Sequence, residues 1–217
     1  MGSVQTLIGR GIYDVPEIAR LTGMPARHVA RWAGPASIGG GLLLPTDRGL
    51  LTFWDLITAR VTGMLLDNGA QLRKIRDARD HLRPEIDFDW PLAHFAGLQR
   101  LGVSGKNVWA KDAGGDWSDA SLGGQRPFDE LAEPWVARVE FDRLGPASAW
   151  RPFDGVVLDP QVQAGSPCVD GTRLTTRFLA DLHSQGESVE DLAWAYELDP
   201  DLVDRAVKYE ERLSQAA

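Results

Sequence analysis

Three cationic side chains near the N-terminus have the types and spacing that DNA recognition requires. Arg27, His28 and Arg31 share one side of a predicted helix whose other side carries Val29 and Trp32. Guanidinium groups bind phosphates and make paired hydrogen bonds to guanine edges, and a recognition helix presents such groups to the major groove. The pattern predicts contacts to double-stranded DNA. The alternative is that these residues form only the solvated side of an amphipathic helix.

Two short helices joined by a tight turn are predicted to position these cations. Asp14 is a suitable N-cap for the first helix because Glu17 follows three residues later, and Gly23 can end that helix. Pro25 fits the first turn of the second helix. The spacing of these signals is that of a helix-turn-helix.

A fourth cation, Arg48, lies in a predicted turn at Thr46-Asp47-Arg48-Gly49 between two short apolar runs. Apolar runs on both sides of a turn predict a small hairpin, or wing, with Arg48 at its tip, within reach of a DNA backbone or minor groove. Thr52 can cap the helix that follows, which is expected to end near Asp67. Together these elements predict a winged helix-turn-helix DNA-binding domain over residues 1–83.

The next predicted helix runs from Gln71 to about His81 and is ended by Pro84. Basic and acidic side chains alternate along it, which favours a solvated face with intrahelical ion pairs over a second DNA contact. These residues are Arg73, Lys74, Arg76, Asp77, Arg79 and Asp80.

Charge is unevenly distributed along the 217 residues, whose net charge is −8. Residues 1–83 hold eleven Lys and Arg against seven Asp and Glu, whereas residues 84–217 hold twelve against twenty-four. The balance is therefore +4 in the first part and −12 in the second. A cationic front suits nucleic acid, and an acidic remainder suits protein contacts.

Several function classes receive no support from the sequence. Cys168 is the only cysteine, so neither an intrachain disulfide nor a cysteine-based zinc site can form. The four histidines are dispersed, and no spacing singles out a catalytic carboxylate pair, so we expect no cofactor, no metal and no enzymatic activity. A hydrolytic enzyme is the third alternative only because carboxylates are abundant. Without a long apolar run or a leader pattern, we expect a cytoplasmic protein with no membrane contact.

Residues 84–155 favour strands and turns, and tryptophans 109, 117, 135 and 150 are predicted to form the apolar face of a small sheet. Residues 156–217 return to helices. The stretch 164–173 supplies a turn, and three helices with N-caps at Thr175 or Thr176, Ser188 and Asp199 follow it. With five basic and twelve acidic residues, this segment is expected to bind proteins rather than DNA. The predicted fold class is therefore mainly α with a small β component.

Two segments resemble known families. Residues 12–83 resemble the winged helix-turn-helix of the MerR family of transcription regulators, through residues 14–23, 27–32, 51–56 and 68–76. Residues 156–215 resemble the family of unknown function numbered 433, a homeodomain-like trihelical domain. The order of the segments resembles a VapB-type antitoxin. That resemblance implies a DNA-binding repressor of its own operon that inhibits a VapC-like toxin, a PIN-domain ribonuclease.

The sequence therefore predicts a transcription regulator that is also the antitoxin of a type II toxin–antitoxin pair, with Arg27, His28, Arg31 and Arg48 as DNA-binding residues. The alternative is an interaction module that only sequesters a toxin without specific DNA binding. Symmetric half-sites predict a homodimer. Because no heptad helix follows Pro84, we expect the dimer contact in residues 84–155, a strand-rich linker, and in the trihelical segment 156–217.

Overall fold

The computed structural model describes residues 9–35, 37, 41–104, 107–110, 126–127 and 138–215. Eight α-helices and seven strands lie within these ranges, and the helices make up most of the regular structure. The prediction of a mainly α fold with a small β component is confirmed. No helix in the described ranges is long and apolar enough to cross a membrane.

The predicted helix pair forms near the N-terminus as α1 (Val15–Thr22) and α2 (Ala26–Ala33). The side chain of Asp14 accepts a hydrogen bond from the Glu17 backbone N–H at 2.7 Å, and Gly23 adopts a φ of 70° that suits the end of a helix. Both predicted signals are confirmed. Ile18 of α1 and Trp32 of α2 are buried, so the two helices face a common core.

The hairpin predicted around Arg48 is wrong, because residues 41–50 form no regular strand. Leu42 and Leu43 are both buried, whereas a half-buried strand would place one of them in solvent. Their backbone N–H groups both donate to the carbonyl of Trp32, at 3.0 and 3.1 Å. The 46–49 turn does form, with the Thr46 N–H bound to the Leu50 carbonyl at 2.8 Å, and Tyr13 and Leu51 form an isolated bridge.

Helices α3 (Phe53–Asp67) and α4 (Leu72–Ile86) follow, and α3 begins at the predicted cap. Thr52 and Asp55 form a reciprocal capping box at its first turn. The predicted end of α4 near His81 is wrong, since the helix continues through Pro84. A proline in the last turn removes only one helical hydrogen bond, and the extension brings Ile86 against the apolar core.

Residues 84–155 combine short helices with strands. A 3₁₀-helix at Pro91–Ala93 and α5 (Phe95–Gln99) precede β1 (Leu101–Ser104), β2 (Asn107–Ala110) and β3 (Arg126–Pro127). These three strands are antiparallel, with β1 in the centre. Of the four tryptophans predicted to line a sheet, Trp150 is buried, the side chain of Trp109 is not described, and positions 117 and 135 lie outside the described residues.

The second sheet contains four antiparallel strands in sequence order and leads into the C-terminal helices. Its strands are β4 (Val139–Phe141), β5 (Ala147–Phe153), β6 (Val156–Leu158) and β7 (Cys168–Val169). A 3₁₀-helix at Gln163–Gly165 lies between β6 and β7.

Three helices end the chain: α6 (Thr176–Ser184), α7 (Val189–Ala195) and α8 (Pro200–Gln215). Thr175 and Ser188 cap α6 and α7 as predicted, because each side chain accepts a hydrogen bond from a backbone N–H three residues later. Helix α8 begins at Pro200, directly after Asp199. The local signals in this part of the sequence are therefore confirmed.

One apolar core extends from the first helices to the last one. It includes Ile18 of α1, Trp150 of β5 and Leu213 of α8. Polar contacts reinforce this packing, since Arg20 of α1 pairs with Glu210 of α8 at 2.8 Å. The division at residues 83 and 155 stays a prediction.

Candidate nucleic-acid interface

Helix α2 presents the predicted cations on its outer side. Arg27 and Arg31 are exposed and His28 is half-buried, whereas Val29 and Trp32 are buried. The two buried residues fix the rotation of the helix about its axis, because they pack into the core beneath it. Arg27 and Arg31 are four residues apart and therefore lie on one side of α2.

Arg48 is exposed at the tip of the 46–49 turn, as predicted. It forms no ion pair or hydrogen bond with any described residue. The loop that carries Arg48 is joined to α2 through Leu42 and Leu43, whose N–H groups bind the carbonyl of Trp32. The loop is therefore attached near the C-terminal end of α2. Arg48 makes no described contact with Arg27, His28 or Arg31.

The structure adds Arg76 of α4 to the α2 cations. Two of its guanidinium nitrogens, Nε and Nη2, are inaccessible to solvent and have no hydrogen-bond partner. Burial lowers the pKa of Arg76, and the nearby positive charge of Arg31 lowers it further against the opposing charges of Asp80 and Asp77. The charges of Arg31 and Arg76 thus act on each other although their helices are distant in sequence. We call Arg27, Arg31 and Arg76 the cationic cluster.

The sequence predicts a solvated position for Arg76, although the residues next to it indicate a position at the edge of the buried side of α4. Arg76 follows the fully buried Ile75 and lies one turn after the half-buried Leu72, at the border of the buried side of α4. Such a border position holds a guanidinium close to the protein surface instead of extending it into solvent. The signal gives the border position, but not which helix lies opposite.

Arg79 also departs from the predicted solvated face, and its role is structural. It is buried, its Nη2 donates to the carbonyl of Gly41 at 2.7 Å, and its Nε lies 3.0 Å from Oδ1 of Asp80. Burial lowers the pKa of Arg79. Its contact with Gly41 fastens the loop after α2 to α4, so Arg79 holds together the two helices that carry the cationic cluster.

The positive charges of the cluster suit an anion. In the part of the chain that the structure describes, no group of three or more His, Cys, Asp or Glu side chains could hold a metal ion. Neighbouring guanidinium groups repel each other, and phosphate oxygens would relieve this repulsion while accepting their N–H groups.

The C-terminal helices are similar to a known protein family. The model of a family described as proteins of unknown function, DUF433, matches residues 156–209. The C-terminal segment is a DUF433 domain. The predicted resemblance is confirmed for this segment. The DUF433 domain contains β6, β7, α6, α7 and most of α8, and it begins directly after the predicted boundary at residue 155.

Two mycobacterial proteins are similar to the chain over almost its whole length. The uncharacterized protein Rv2308 of Mycobacterium tuberculosis is 24% identical over 221 residues, which cover 95% of this chain and 93% of Rv2308. The crystal structure of Rv2018 from Mycobacterium tuberculosis matches with a TM-score of 0.68 at 21% identity, over 92% of this chain and 98% of Rv2018. The second likeness shows a shared fold that combines the DUF433 domain with the helices before it.

The DUF433 domain contacts the N-terminal helices through its first turn. The backbone N–H of Ile12 donates to the carbonyl of Ala164 at 2.9 Å, and the Tyr13 hydroxyl donates to the carbonyl of Gly165 at 2.8 Å. Burial strongly raises the pKa of Tyr13, so its hydroxyl stays protonated and remains a donor. The domain therefore supports α1, which in turn supports the helix that carries Arg27 and Arg31.

Proposed function

We propose that the protein is a DNA-binding transcription regulator and the antitoxin of a type II toxin–antitoxin pair. In this proposal it represses its own operon and inhibits a PIN-domain ribonuclease toxin. The observation that carries the DNA-binding part is the outer side of α2, where Arg27 and Arg31 are exposed on one side, with the charge of Arg76 in α4 acting on Arg31. A phosphate group next to these side chains would offset the repulsion between their charges.

The arrangement of the first two helices supports a recognition role for α2. Three residues separate α1 from α2, and α2 buries one side while its outer side offers cations. Within a MerR-like helix-turn-helix, Arg27, His28 and Arg31 contact the major groove. The 46–49 turn takes the place of a wing and carries Arg48 to the backbone. Arg76 adds positive charge from α4.

The DNA-binding part predicts a strong effect of removing two charges. The double variant Arg31→Ala/Arg76→Ala is expected to bind DNA from upstream of its gene roughly 10- to 100-fold more weakly, because each lost guanidinium removes a charge-assisted contact. The dependence of log affinity on log salt should also become shallower by about two. Mobility-shift titrations at several salt concentrations measure both quantities.

The matched control is Arg143→Ala, which removes one exposed charge from the β4–β5 turn and should leave binding within about threefold. Equal affinity and equal salt dependence of the wild type and the double variant would contradict DNA binding by the cluster. If both proteins bind DNA equally weakly, the alternative holds, in which the protein is an interaction module that only sequesters a toxin. Two chains on each symmetric site are the expected stoichiometry, since the proposal includes a homodimer.

The acidic DUF433 domain supports the antitoxin part. The domain and the residues after it, 156–217, carry twelve acidic and five basic residues, which suits a basic, RNA-cutting partner. Co-expression with a PIN-domain protein encoded beside this gene should restore the growth that the PIN-domain protein alone inhibits. Growth arrest that persists despite soluble expression of both chains would contradict this part, and would leave the DNA-binding part intact.

A further inference from the structure

Two aromatic side chains of the DUF433 domain, Trp194 and Phe178, are exposed, and a third, the half-buried Tyr196, contacts one of them. The side chain of Trp194 in α7 is 86% exposed, and that of Phe178 in α6 is 41% exposed. Tyr196 contacts Phe178 edge to face, with ring centroids 5.5 Å apart. We call Phe178, Trp194 and Tyr196 the aromatic patch. Tryptophan and tyrosine are enriched among the residues that contribute most to binding between proteins.

The helix that carries Trp194 is held firmly. The Ser188 side chain caps α7, while Leu192 and Ala193 are buried against Val203 of α8. Tyr196 packs against the same buried residues and ends the helix, with its N–H bound to the carbonyl of Leu192 at 3.0 Å. A partner would therefore meet Trp194 on a preorganised surface, with little backbone ordering left to occur on binding.

The segment around Trp194 has only negative charges. Residues 187–201 contain six carboxylates and no Lys or Arg: Glu187, Glu190, Asp191, Glu197, Asp199 and Asp201. None of the six forms an ion pair within the described ranges, although Asp191 binds the hydroxyl of Ser188. Glu190 lies one helical turn before Trp194, so at least one free carboxylate is on the same side of α7.

We infer that the aromatic patch is the docking site for a protein partner with a net cationic surface that holds an apolar pocket for Trp194. The central aromatic side chain supplies buried area, and the surrounding carboxylates select the partner by charge. A second copy of this chain does not fit, because a twofold contact would bring the six carboxylates against six identical ones. The same charge excludes a nucleic-acid backbone.

This inference deepens the proposed antitoxin function and rests on it for the identity of the partner. The contact lies on α6 and α7, where the charges around Trp194 are opposite in sign to those of the cationic cluster. Arg177 does not neutralise the patch, since it lines a groove with Arg20 and Glu210 on the side of α1 and α8. Partner binding and DNA binding are therefore expected to respond to different substitutions.

A displayed library of random twelve-residue peptides tests the inference, with the full chain as the target. Peptides that survive selection are expected to carry net positive charge and at least one large apolar residue. The selected peptides should bind Trp194→Ser about 30-fold more weakly than the wild type, because that variant removes the central side chain. Glu190→Gln should weaken binding more at low salt than at high salt.

Leu144→Ser is the matched control, since Leu144 is 85% exposed in the β4–β5 turn. It should bind the selected peptides as the wild type does. Thermal unfolding of Trp194→Ser checks that the fold is retained, as expected for an exposed position. Selection of neutral or acidic peptides would overturn the inference, as would wild-type affinity in Trp194→Ser or equal losses in both serine variants.

Three further measurements separate this inference from the proposed function. If Trp194→Ser turns a wild-type dimer into a monomer in sedimentation, the patch binds a second copy and the inference is wrong. If Trp194→Ser still neutralises the PIN-domain toxin, the antitoxin function stands while the docking site lies elsewhere. Trp194→Ser should bind DNA as the wild type does in mobility-shift titrations. If the protein does not bind DNA at all, the inference about the aromatic patch still stands.

Discussion

Replacing Asp55 by Ala is expected to lower the free energy of unfolding by about 4 kcal/mol. Asp55 is fully buried in the first turn of α3. Its Oδ1 accepts hydrogen bonds from the Leu44 N–H at 2.7 Å and the Trp90 indole at 2.8 Å. Its Oδ2 accepts from the N–H and the hydroxyl of Thr52, both at 2.8 Å. The substitution leaves these donors unpaired in the interior, each at a cost of about 1 kcal/mol or more.

Denaturant unfolding of the purified protein measures this loss. Asp67→Ala is the matched control, because Asp67 is an exposed aspartate in the last turn of the same helix. A negative charge there opposes the helix dipole, so its removal should leave stability unchanged or raise it by a few tenths of a kcal/mol. A loss below about 1 kcal/mol for Asp55→Ala would contradict the role assigned to this carboxylate.

Gly165→Ala is expected to destabilise the protein by about 3 kcal/mol. Gly165 has a φ of 88°, a conformation that alanine adopts only with strain. An added Cβ would also lie 2.1 Å from the Tyr13 hydroxyl oxygen and 2.8 Å from its Cζ. Tyr13 is buried against the core and cannot withdraw without losing its hydrogen bond to the Gly165 carbonyl.

Gly171→Ala separates the two causes. Gly171 has a similar φ of 76°, but nothing lies within 4 Å of its added Cβ, so this variant should lose only about 1 kcal/mol. The difference between the two variants reports the contact with Tyr13. Tyr13→Phe should lower the free energy of unfolding less in the Gly165→Ala protein than in the wild type. The substitution removes the hydroxyl that clashes with the new Cβ together with its hydrogen bond. Equal losses at Gly165 and Gly171 would contradict this account.

Local signals in the sequence predict the helices well where the cap and the helix are neighbours in the chain. Asp14, Thr52 and Ser188 each satisfy backbone donors within three residues, so the outcome depends little on the rest of the fold. The end of α4 and the loop around Arg48 were predicted wrongly for the opposite reason. Both depend on packing against residues that are distant in sequence.

The candidate site divides in the same way. The exposed side of α2 follows from the spacing of Val29 and Trp32, so Arg27 and Arg31 could be placed from sequence. The interaction of the Arg76 and Arg31 charges could not be predicted, because it depends on how helices that are distant in sequence are placed by the fold. Asp55 was visible only as part of a helix start, and its bonds to Leu44 and Trp90 required the folded chain.

The contact between Arg20 and Glu210 has a consequence for the order in which the chain is made. These residues are 190 positions apart, and ribosomes add about 5 to 20 residues per second, so α1 emerges roughly 10 to 40 s before α8. During that time Ile18 lacks the packing of Tyr209 and Leu213, which belong to the same core. Translation must therefore reach the last helix before α1 and α2 gain their final support.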